Sequence, residues 1–323
     1  METASGTPAE TYMLSAQKIK AEAQSLGFCA CGLAQAGPVD TNHATFFAHW
    51  LQTGRNADMA YMNRYADKRT DPSLLVENAH TIVSVALNYY PPERISDEKP
   101  QLSWYAYGQD YHDLMRRKLH TLLERIQAEY APGAVQGRCF CDTAPVLERY
   151  WAWRGGMGWT GKHTQLVIPQ NGSAFFLGEL ILNLTADRYD HPMTMKCGTC
   201  RKCIEACPTG ALTEGEGLDA RRCLSYLTIE NRGEIPAEAA AKMAPYFYGC
   251  DRCLRACPHL HHAIPTNEEG LKPRRELLDM TAEQWSHLTV EEYRALFKGS
   301  AVKRAKYEGL MRNLKAMNPP KEE

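Results

Sequence analysis

Eleven residues in the second half of the chain, Cys197 to Cys207, constrain its fold more than any other stretch. They read CGTCRKCIEAC, with three cysteines at intervals of three residues, a fourth four residues later, and a proline directly behind it. This is the Cys-x2-Cys-x2-Cys-x3-Cys-Pro spacing of bacterial ferredoxins, in which the fourth cysteine ligates a second iron–sulfur cluster. The run therefore predicts two clusters and requires a second group of cysteines elsewhere.

The second group follows in YGCDRCLRACP, which contributes three further cysteines and again ends in Cys-Pro. It lacks a cysteine at the first position, but Cys223 lies between the two runs and completes the count. By the crossing rule of ferredoxins, we expect two sets of four ligands. The first set is Cys197, Cys200, Cys203 and Cys257, and the second set is Cys207, Cys223, Cys250 and Cys253.

Two other uses of cysteine fit this sequence less well. Cys-x2-Cys pairs also build structural zinc sites, but zinc requires neither a third cysteine at the same interval nor a crossing Cys-Pro. A disulfide framework needs an oxidising compartment, and the N-terminal METASGTPAETYML has no apolar segment of the kind that directs secretion. The sequence therefore favours two [4Fe–4S] clusters in a cytoplasmic protein.

Composition sets wider limits. The chain has 323 residues, 44% of them hydrophobic and 23% charged, which is typical of a globular protein of two or three domains. No apolar run reaches the roughly 18 residues that a membrane-spanning helix needs, so no membrane partner is expected. The formal net charge of −1 gives no overall electrostatic case for nucleic acid, so any such contact must be local.

Hydrophobic patterns predict a mixture of helices and strands. Apolar residues at helical spacing predict helices over Leu14–Leu26 and Leu114–Tyr130. The β-branched run Thr81–Tyr90 predicts a core strand. Gln165–Pro169 and Ser173–Leu184, joined by an Asn-Gly dipeptide, predict a β-hairpin. The fold class is therefore expected to be α+β.

A basic block follows the cysteine runs. From Lys298 to Lys315 the chain carries six basic residues and one acidic residue, Glu308. Taken alone, such a run predicts a solvated helix face more readily than a nucleic-acid contact.

The clusters imply an electron acceptor that the cysteine runs do not identify. About 190 residues precede the clusters, far more than a free ferredoxin needs. They contain neither a Walker loop nor a Gly-x-Gly-x-x-Gly turn that opens a helix. The residues themselves therefore predict an iron–sulfur redox protein with a large cofactor or substrate in its N-terminal part.

Eight sequence blocks, in a fixed order, resemble the epoxyqueuosine reductase family, cobalamin-dependent enzymes that complete queuosine in transfer RNA. Besides the two cysteine runs and the NGS-FFLGEL stretch, the blocks are YGQDYH (Tyr107–His112), DTAPVLER (Asp142–Arg149), GGMGWTGK (Gly155–Lys162), CLSYLTIENRGEIP (Cys223–Pro236) and FKGSAVKRAKYEGLMRN (Phe297–Asn313). The resemblance covers nearly the whole chain.

This resemblance implies a domain order. Residues 1–190 would form a nitroreductase-like catalytic domain that binds base-off cobalamin. Residues 191–265 would form a ferredoxin-like domain with two [4Fe–4S] clusters, and residues 266–323 a short helical, basic segment that binds transfer RNA. The implied partners are a tRNA that carries epoxyqueuosine and a low-potential donor of flavodoxin or ferredoxin type. A monomer is expected.

The resemblance also implies roles for individual residues. Asp142 would donate a proton to the epoxide oxygen, which requires partial burial and a raised pKa. The alternative role for Asp142 is a helix N-cap. Arg149 would share a helical face with Asp142 if that segment is helical. The resemblance places it near the cobalt, on the side away from the substrate. The candidate cofactor contacts are Tyr105, Asp142, Arg149, Lys162, His163, Gln165, Ser173, Ser225 and Tyr226. The candidate tRNA contacts are Lys298, Lys303, Arg304, Lys306 and Arg312.

The chain departs from the family pattern in two places. His163 stands where asparagine is usual, and His259-Leu260 stands where Trp-Asn is usual. Two other functions remain open: a corrinoid reductive dehalogenase-like enzyme and a non-enzymatic ferredoxin-type electron carrier. The basic block argues against both, because neither needs an RNA-binding segment.

Overall fold

The computed structural model describes residues 12–317, which form thirteen α-helices and ten β-strands. The helices are α1 (Ala16–Ser25), α2 (Thr41–Gln52), α3 (Ala66–Thr70), α4 (Tyr111–Ala128), α5 (Glu148–Arg154), α6 (Lys202–Glu205), α7 (Leu224–Ile229), α8 (Ala237–Met243), α9 (Arg252–Arg255), α10 (Arg275–Asp279), α11 (Ala282–Ser286), α12 (Val290–Leu296) and α13 (Lys306–Met317). The strands are β1 (Ala30–Gln35), β2 (Thr81–Asn88), β3 (Gln101–Leu102), β4 (Gly137–Phe140), β5 (Trp159–Thr160), β6 (Leu166–Val167), β7 (Phe175–Leu182), β8 (Leu212–Thr213), β9 (Gly217–Leu218) and β10 (Tyr246–Tyr248).

The N-terminal part is built on a four-stranded antiparallel sheet in the order β1-β2-β7-β4. β2 reads TIVSVALN, and its first seven residues are all buried. Such a β-branched, apolar run suits a strand covered on both faces. The predicted strand over Thr81–Tyr90 is therefore confirmed, and it lies inside the sheet.

Alternate residues of the sheet face two different layers. Val83 and Leu180 pack with the buried side chains of α1 and α4, which are the two helices that the sequence predicts. On the opposite face, Ile82 packs with Trp151 of α5. The sheet is thus covered on both sides, and α5 is the element that carries polar residues toward the site described below.

Two glycines set the close approach of α5 to the sheet. A Cβ atom added at Gly32 of β1 would lie 2.0 Å from the carbonyl oxygen of Gly155, the residue that ends α5. No side chain fits there without moving the backbone of one partner. The pair Gly32–Gly155 therefore fixes how near the short helix lies to β1, and with it the position of Glu148 and Arg149 at the other end of that helix.

The predicted hairpin is wrong in its pairing. β6 pairs with β5, whereas β7 pairs with β2 on one edge and with β4 on the other. Both hydrogen-bonding edges of β7 are therefore used, and none is left for β6. The Asn171-Gly172 turn does form, and Ile168 and Gly172 exchange two backbone hydrogen bonds across it, but the pairing stops there.

The cysteine-rich part and the C-terminal helices share one hydrophobic core with the middle of the chain. β3 pairs in parallel with β10. Buried side chains such as Trp104, Leu224, Phe247 and Trp285 belong to a single apolar cluster. This cluster draws on all three of the predicted segments.

Among residues 12–317, no helix is both long enough and apolar enough to cross a membrane.

Candidate active site and iron–sulfur ligands

Asp142 lies in the turn between β4 and α5 and has a left-handed backbone, with φ of 57°. Its backbone N–H donates to Glu148 Oε1 at 2.5 Å. Leu147, not Asp142, is the N-cap of α5, and it makes no side-chain capping bond. Asp142 and Arg149 therefore do not share a helical face, and the capping alternative for Asp142 is also wrong.

The carboxylate of Asp142 meets His112, a residue 30 positions earlier in the chain. Asp142 Oδ2 lies 3.0 Å from Nε2 of His112. The other ring nitrogen, Nδ1, lies 2.6 Å from Oδ1 of Asp110, the N-cap of α4. The imidazole thus bridges two carboxylates. Burial alone would lower the pKa of His112, but the hydrogen bonds to both aspartates raise it to about 9.

The expected rise in the pKa of Asp142 is not found. Burial pushes this pKa upward, but the hydrogen bond and positive charge of His112 outweigh burial and bring the pKa below its ordinary value. The Asp142 side chain keeps 57% of its surface open to solvent, so a ligand can reach its carboxylate. At neutral pH the aspartate is ionised, and the proton resides on His112.

Two glutamates lie behind Asp142. Burial, helped by the charge of Asp142, raises the pKa of Glu148 to about 7. Burial also raises the pKa of Glu179 on β7 well above its ordinary value, and Glu148 adds to this. Neither carboxyl oxygen of Glu179 has a hydrogen-bond partner within residues 12–317. Glu148 therefore raises the pKa of Glu179 through the charge of its nearby carboxylate, not through a hydrogen bond of ordinary length.

Arg149 interacts through its charge with Glu148 and Asp142, and it contacts the loop that precedes β6. One guanidinium nitrogen donates to the backbone oxygen of Thr164 at 2.8 Å. In the same loop His163 is 3% exposed, and burial together with the charge of Arg149 lowers its pKa to about 4. His163 Nδ1 accepts from the backbone N–H of Gln165, so Nε2 carries the hydrogen, and this buried donor has no partner in the described chain.

The other candidate cofactor contacts differ in how free their polar atoms are. Ser173 is buried, and its hydroxyl has no partner among the described residues. Gln165 is exposed and Ser225 is half-buried. Three more are committed to protein partners: Tyr105 to the hydroxyl of Tyr248, Lys162 to Glu214 and the carbonyl of Gly198, and Tyr226 to Asp58.

The cysteine thiols influence one another in two groups. Burial and then the neighbouring Cys257 and Cys197 raise the pKa of Cys203. Burial and then Cys250, Cys223 and, more weakly, Cys207 raise the pKa of Cys253. In each case the neighbouring cysteines belong to one predicted set, and the assignment of the eight ligands to two clusters stays a prediction. No three His, Cys, Asp or Glu side chains of the described residues close around a point as ligands of a single metal ion do.

The basic block divides into exposed and committed residues. Lys298, Lys303 and Lys306 are exposed, and Arg304 is half-exposed with a two-bond ion pair to Glu230. Arg312 is different. Its guanidinium donates to the backbone oxygens of residues 227, 231 and 233 and to the side chain of Asn313. Arg312 therefore connects α13 to α7 and to the segment that follows α7.

Sequence reasoning missed the partners of Asp142. His112 and Asp110 lie in the YGQDYH block, and Glu148 lies in DTAPVLER, but neither block indicates by itself that its residues meet the other. An aspartate at a helix N-cap with a histidine two residues later was the available signal.

Comparison with known proteins gives consistent matches over most of the chain. A family described as "Epoxyqueuosine reductase QueG, DUF1730" matches residues 69–143, and a "4Fe-4S double cluster binding domain" matches residues 196–259. The epoxyqueuosine reductase of Cellulophaga algicola is 44% identical over 296 residues, which cover 92% of this chain and 95% of that protein. That of Leadbetterella byssophila is 44% identical over 298 residues, covering 92% and 96%.

Among solved structures, the crystal structure of an epoxyqueuosine reductase with a tRNA-Tyr epoxyqueuosine-modified stem loop superposes with a TM-score of 0.83. It is 26% identical and covers 93% of this chain and 80% of that one. The prediction of a two-cluster iron–sulfur domain is confirmed, as is a mixed helix-and-sheet fold.

Proposed function

The chain belongs to the epoxyqueuosine reductase family, and we propose that it reduces the epoxide of epoxyqueuosine in tRNA to the alkene of queuosine. The reaction removes the epoxide oxygen as water and consumes two electrons and two protons. An epoxide oxygen leaves poorly as an alkoxide, so a positioned acid group accelerates the step.

The observation that carries the proposal is the placement of Asp142. Its carboxylate is open to a large ligand on one side and hydrogen-bonded to His112 on the other. The charges of Arg149 and Asp142 act on each other, so the two groups belong to one site. We assign proton transfer to Asp142 and a place beside the cofactor to Arg149.

The described residues fit the cofactors that the family name implies. Two sets of four cysteines suit two [4Fe–4S] clusters. For cobalamin, the buried Nε2–H of His163 and the buried hydroxyl of Ser173 are unpaired polar atoms of the kind that a ligand satisfies. Bound cobalamin would supply the metal that delivers electrons to the substrate carbon. Of the other candidates, exposed Gln165 and half-buried Ser225 remain available, whereas Tyr105, Lys162 and Tyr226 would have to exchange their present partners.

We assign the larger architecture in the same way. The sheet with α1, α4 and α5 would form a nitroreductase-like domain over residues 1–190, followed by the cluster domain over 191–265 and the basic segment over 266–323. The exposed Lys298, Lys303 and Lys306, with Arg304, supply positive charge for tRNA phosphates. Arg312 serves as a structural clamp. We expect the protein to be a monomer in the cytoplasm, the compartment that contains its tRNA substrate. We expect it to take electrons from a donor of flavodoxin or ferredoxin type.

One experiment tests the activity. The protein is reconstituted with iron, sulfide and cobalamin, reduced, and offered tRNA that bears epoxyqueuosine. Digestion and mass spectrometry should show a nucleoside lighter by one oxygen atom. A halogenated phenol in a parallel reaction should remain intact, which separates this activity from that of a dehalogenase. Without conversion of the tRNA the proposal fails.

The matched variant is Asp142→Asn. It keeps the shape of the side chain but removes the ionisable group, so iron content and cobalamin absorbance should be unchanged while turnover falls by about 10²-fold or more. Full turnover in this variant would remove Asp142 from the mechanism.

A further inference from the structure

We propose that His112, held by Asp110, is the proton reservoir and positioning residue for Asp142, so that the proton given to the departing oxygen originates on the imidazole. The inference rests on the proposed function and adds a group that acts through Asp142 rather than on the substrate. It explains how an ionised aspartate can serve an acid-requiring step.

The geometry holds the imidazole in one orientation. His112 is the second residue of α4, and Asp110, the N-cap, accepts from both its backbone N–H at 3.0 Å and its ring Nδ1 at 2.6 Å. The ring stacks on Tyr111 with centroids 4.0 Å apart, and Tyr111 stacks in turn on Phe176 of β7, also at 4.0 Å. A helix cap and an aromatic stack therefore aim Nε2 at Asp142.

The hydrogen bonds assign the transferable proton to Nε2. Asp110 is an acceptor, so Nδ1 keeps its hydrogen in both charge states of the ring. Nε2 faces Asp142 Oδ2 at 3.0 Å, and this is the hydrogen that can leave. The rise in the pKa of His112 to about 9 and the fall in that of Asp142 agree with this assignment.

Other charges around the pair come from several elements. Glu148 on α5 and Asp110 before α4 are acidic, while Arg116 of α4 acts on Asp110 and Arg304 of the basic block acts on Asp142. The hydroxyl of Tyr111 also faces the carboxylate. Arg149 of α5 also acts on Asp142. For His112 itself, the causes that raise its pKa are its two aspartate partners, which lie at hydrogen-bond distance.

The proton moves from His112 through Asp142 to the substrate. When a C–O bond of the epoxide breaks, Nε2 of His112 passes its proton to the carboxylate of Asp142, and Asp142 delivers a proton to the oxygen, which leaves with the bonding pair. Asp142 is a carboxylate before and after, and His112 changes from imidazolium to neutral imidazole. The two electrons come from the reduced iron–sulfur donor system. His112, whose side chain is 24% exposed, then takes a proton from solvent, and a second passage completes the water molecule.

The first test measures the proton directly and needs no substrate. Histidine ring nitrogens are followed by long-range ¹H–¹⁵N NMR in the full, cluster-loaded chain, with His112→Gln used to assign the signal among the eleven histidines. We expect both ring nitrogens of His112 to be protonated at pH 7 and to titrate near pH 9. Asp110→Asn and Asp142→Asn should each move the titration down by about one unit or more. A neutral His112 at pH 7 overturns the inference, whether or not the enzyme converts tRNA.

The second test uses turnover. The wild-type kcat should fall above about pH 9, and Asp110→Asn should shift that fall to lower pH. His112→Gln can still donate a hydrogen bond to Asp142 but holds no titratable proton. It should lower kcat by about 10²-fold, leave KM within about threefold and abolish the alkaline fall. His120→Gln, an exposed position on the same helix, should match the wild type. Retention of kcat in His112→Gln would overturn the reservoir role and leave a structural one.

Discussion

Ser84 of β2 and Glu179 of β7 are register partners in the central sheet, and both side chains are buried without a hydrogen-bond partner among the described residues. They lie on the sheet face that α5 covers. Trp151 of α5 packs on that face, and its indole N–H also lacks a partner among the described residues. Buried polar groups in proteins are normally paired, so three of them in one layer are unusual. They form a polar patch behind Glu148, next to the site that carries the chemistry.

The first prediction concerns Glu179. Because its pKa is raised in the folded chain, the folded state binds a proton that the unfolded state releases near its ordinary pKa of 4.5. Stability from this proton is complete below about pH 4.5 and is lost as pH rises toward the folded pKa. Glu179→Gln mimics the neutral acid, so its melting temperature should match the wild type near pH 5 and exceed it at pH 8. Parallel melting curves for the two proteins across this range would contradict a neutral Glu179.

The second prediction concerns the crossing of the cysteine sets. Cys257→Ser should remove the same cluster as Cys197→Ser, although Cys257 lies in the other run, and Cys207→Ser should remove the remaining cluster. Each variant should lose about half of the bound iron, because each set holds one cluster. Iron and sulfide analysis with electron paramagnetic resonance of the reduced protein distinguishes them. Cys139→Ser, outside both sets, is the control and should keep all of its iron. Matching spectra for Cys257→Ser and Cys250→Ser would mean that the sets do not cross.

The third prediction separates Arg312 from the exposed lysines. Arg312→Ala leaves three backbone oxygens without their donor, so it should destabilise the protein by about 2–3 kcal/mol. Lys303→Ala should leave stability unchanged, weaken tRNA binding, and reduce the slope of log K against log salt by about one. Thermal melting and fluorescence anisotropy at several salt concentrations measure both effects. A reduced salt slope in Arg312→Lys, at unchanged stability, would assign Arg312 to the RNA instead.

The fourth prediction concerns the contact between β1 and α5. Gly32→Ala places a methyl group within 2.0 Å of the Gly155 oxygen, so α5 must move. We expect a loss of about 1–3 kcal/mol in stability and a loss of turnover, because Glu148 and Arg149 shift with the helix. Gly309→Ala is the control: it lies in α13 with ordinary van der Waals space and should stabilise by about 0.5–1 kcal/mol. Unchanged turnover in Gly32→Ala would show that the position of α5 is not critical.

Local pattern was sufficient for much of this protein. The strand over Thr81–Tyr90 and the helix over Leu114–Tyr130 follow from β-branched content and apolar periodicity, which act over a few residues. The cysteine spacing identified a two-cluster domain for a similar reason, since a short loop with that spacing directs its first three sulfurs to one centre. The resemblance of eight blocks indicates the family, which the comparisons confirm, whereas the role of Asp142 stays a prediction.

What only the tertiary structure decided depends on partners that are distant in sequence. The predicted hairpin failed because β7 is paired on both edges by β2 and β4. The pKa of Asp142 is lowered rather than raised because His112, thirty residues earlier, brings a positive charge to it. Arg312 reads as part of a basic block, yet it meets carbonyls about eighty residues away. Composition and spacing determine which groups a chain contains, whereas protonation and free charge depend on which groups the fold brings within a few ångströms of one another.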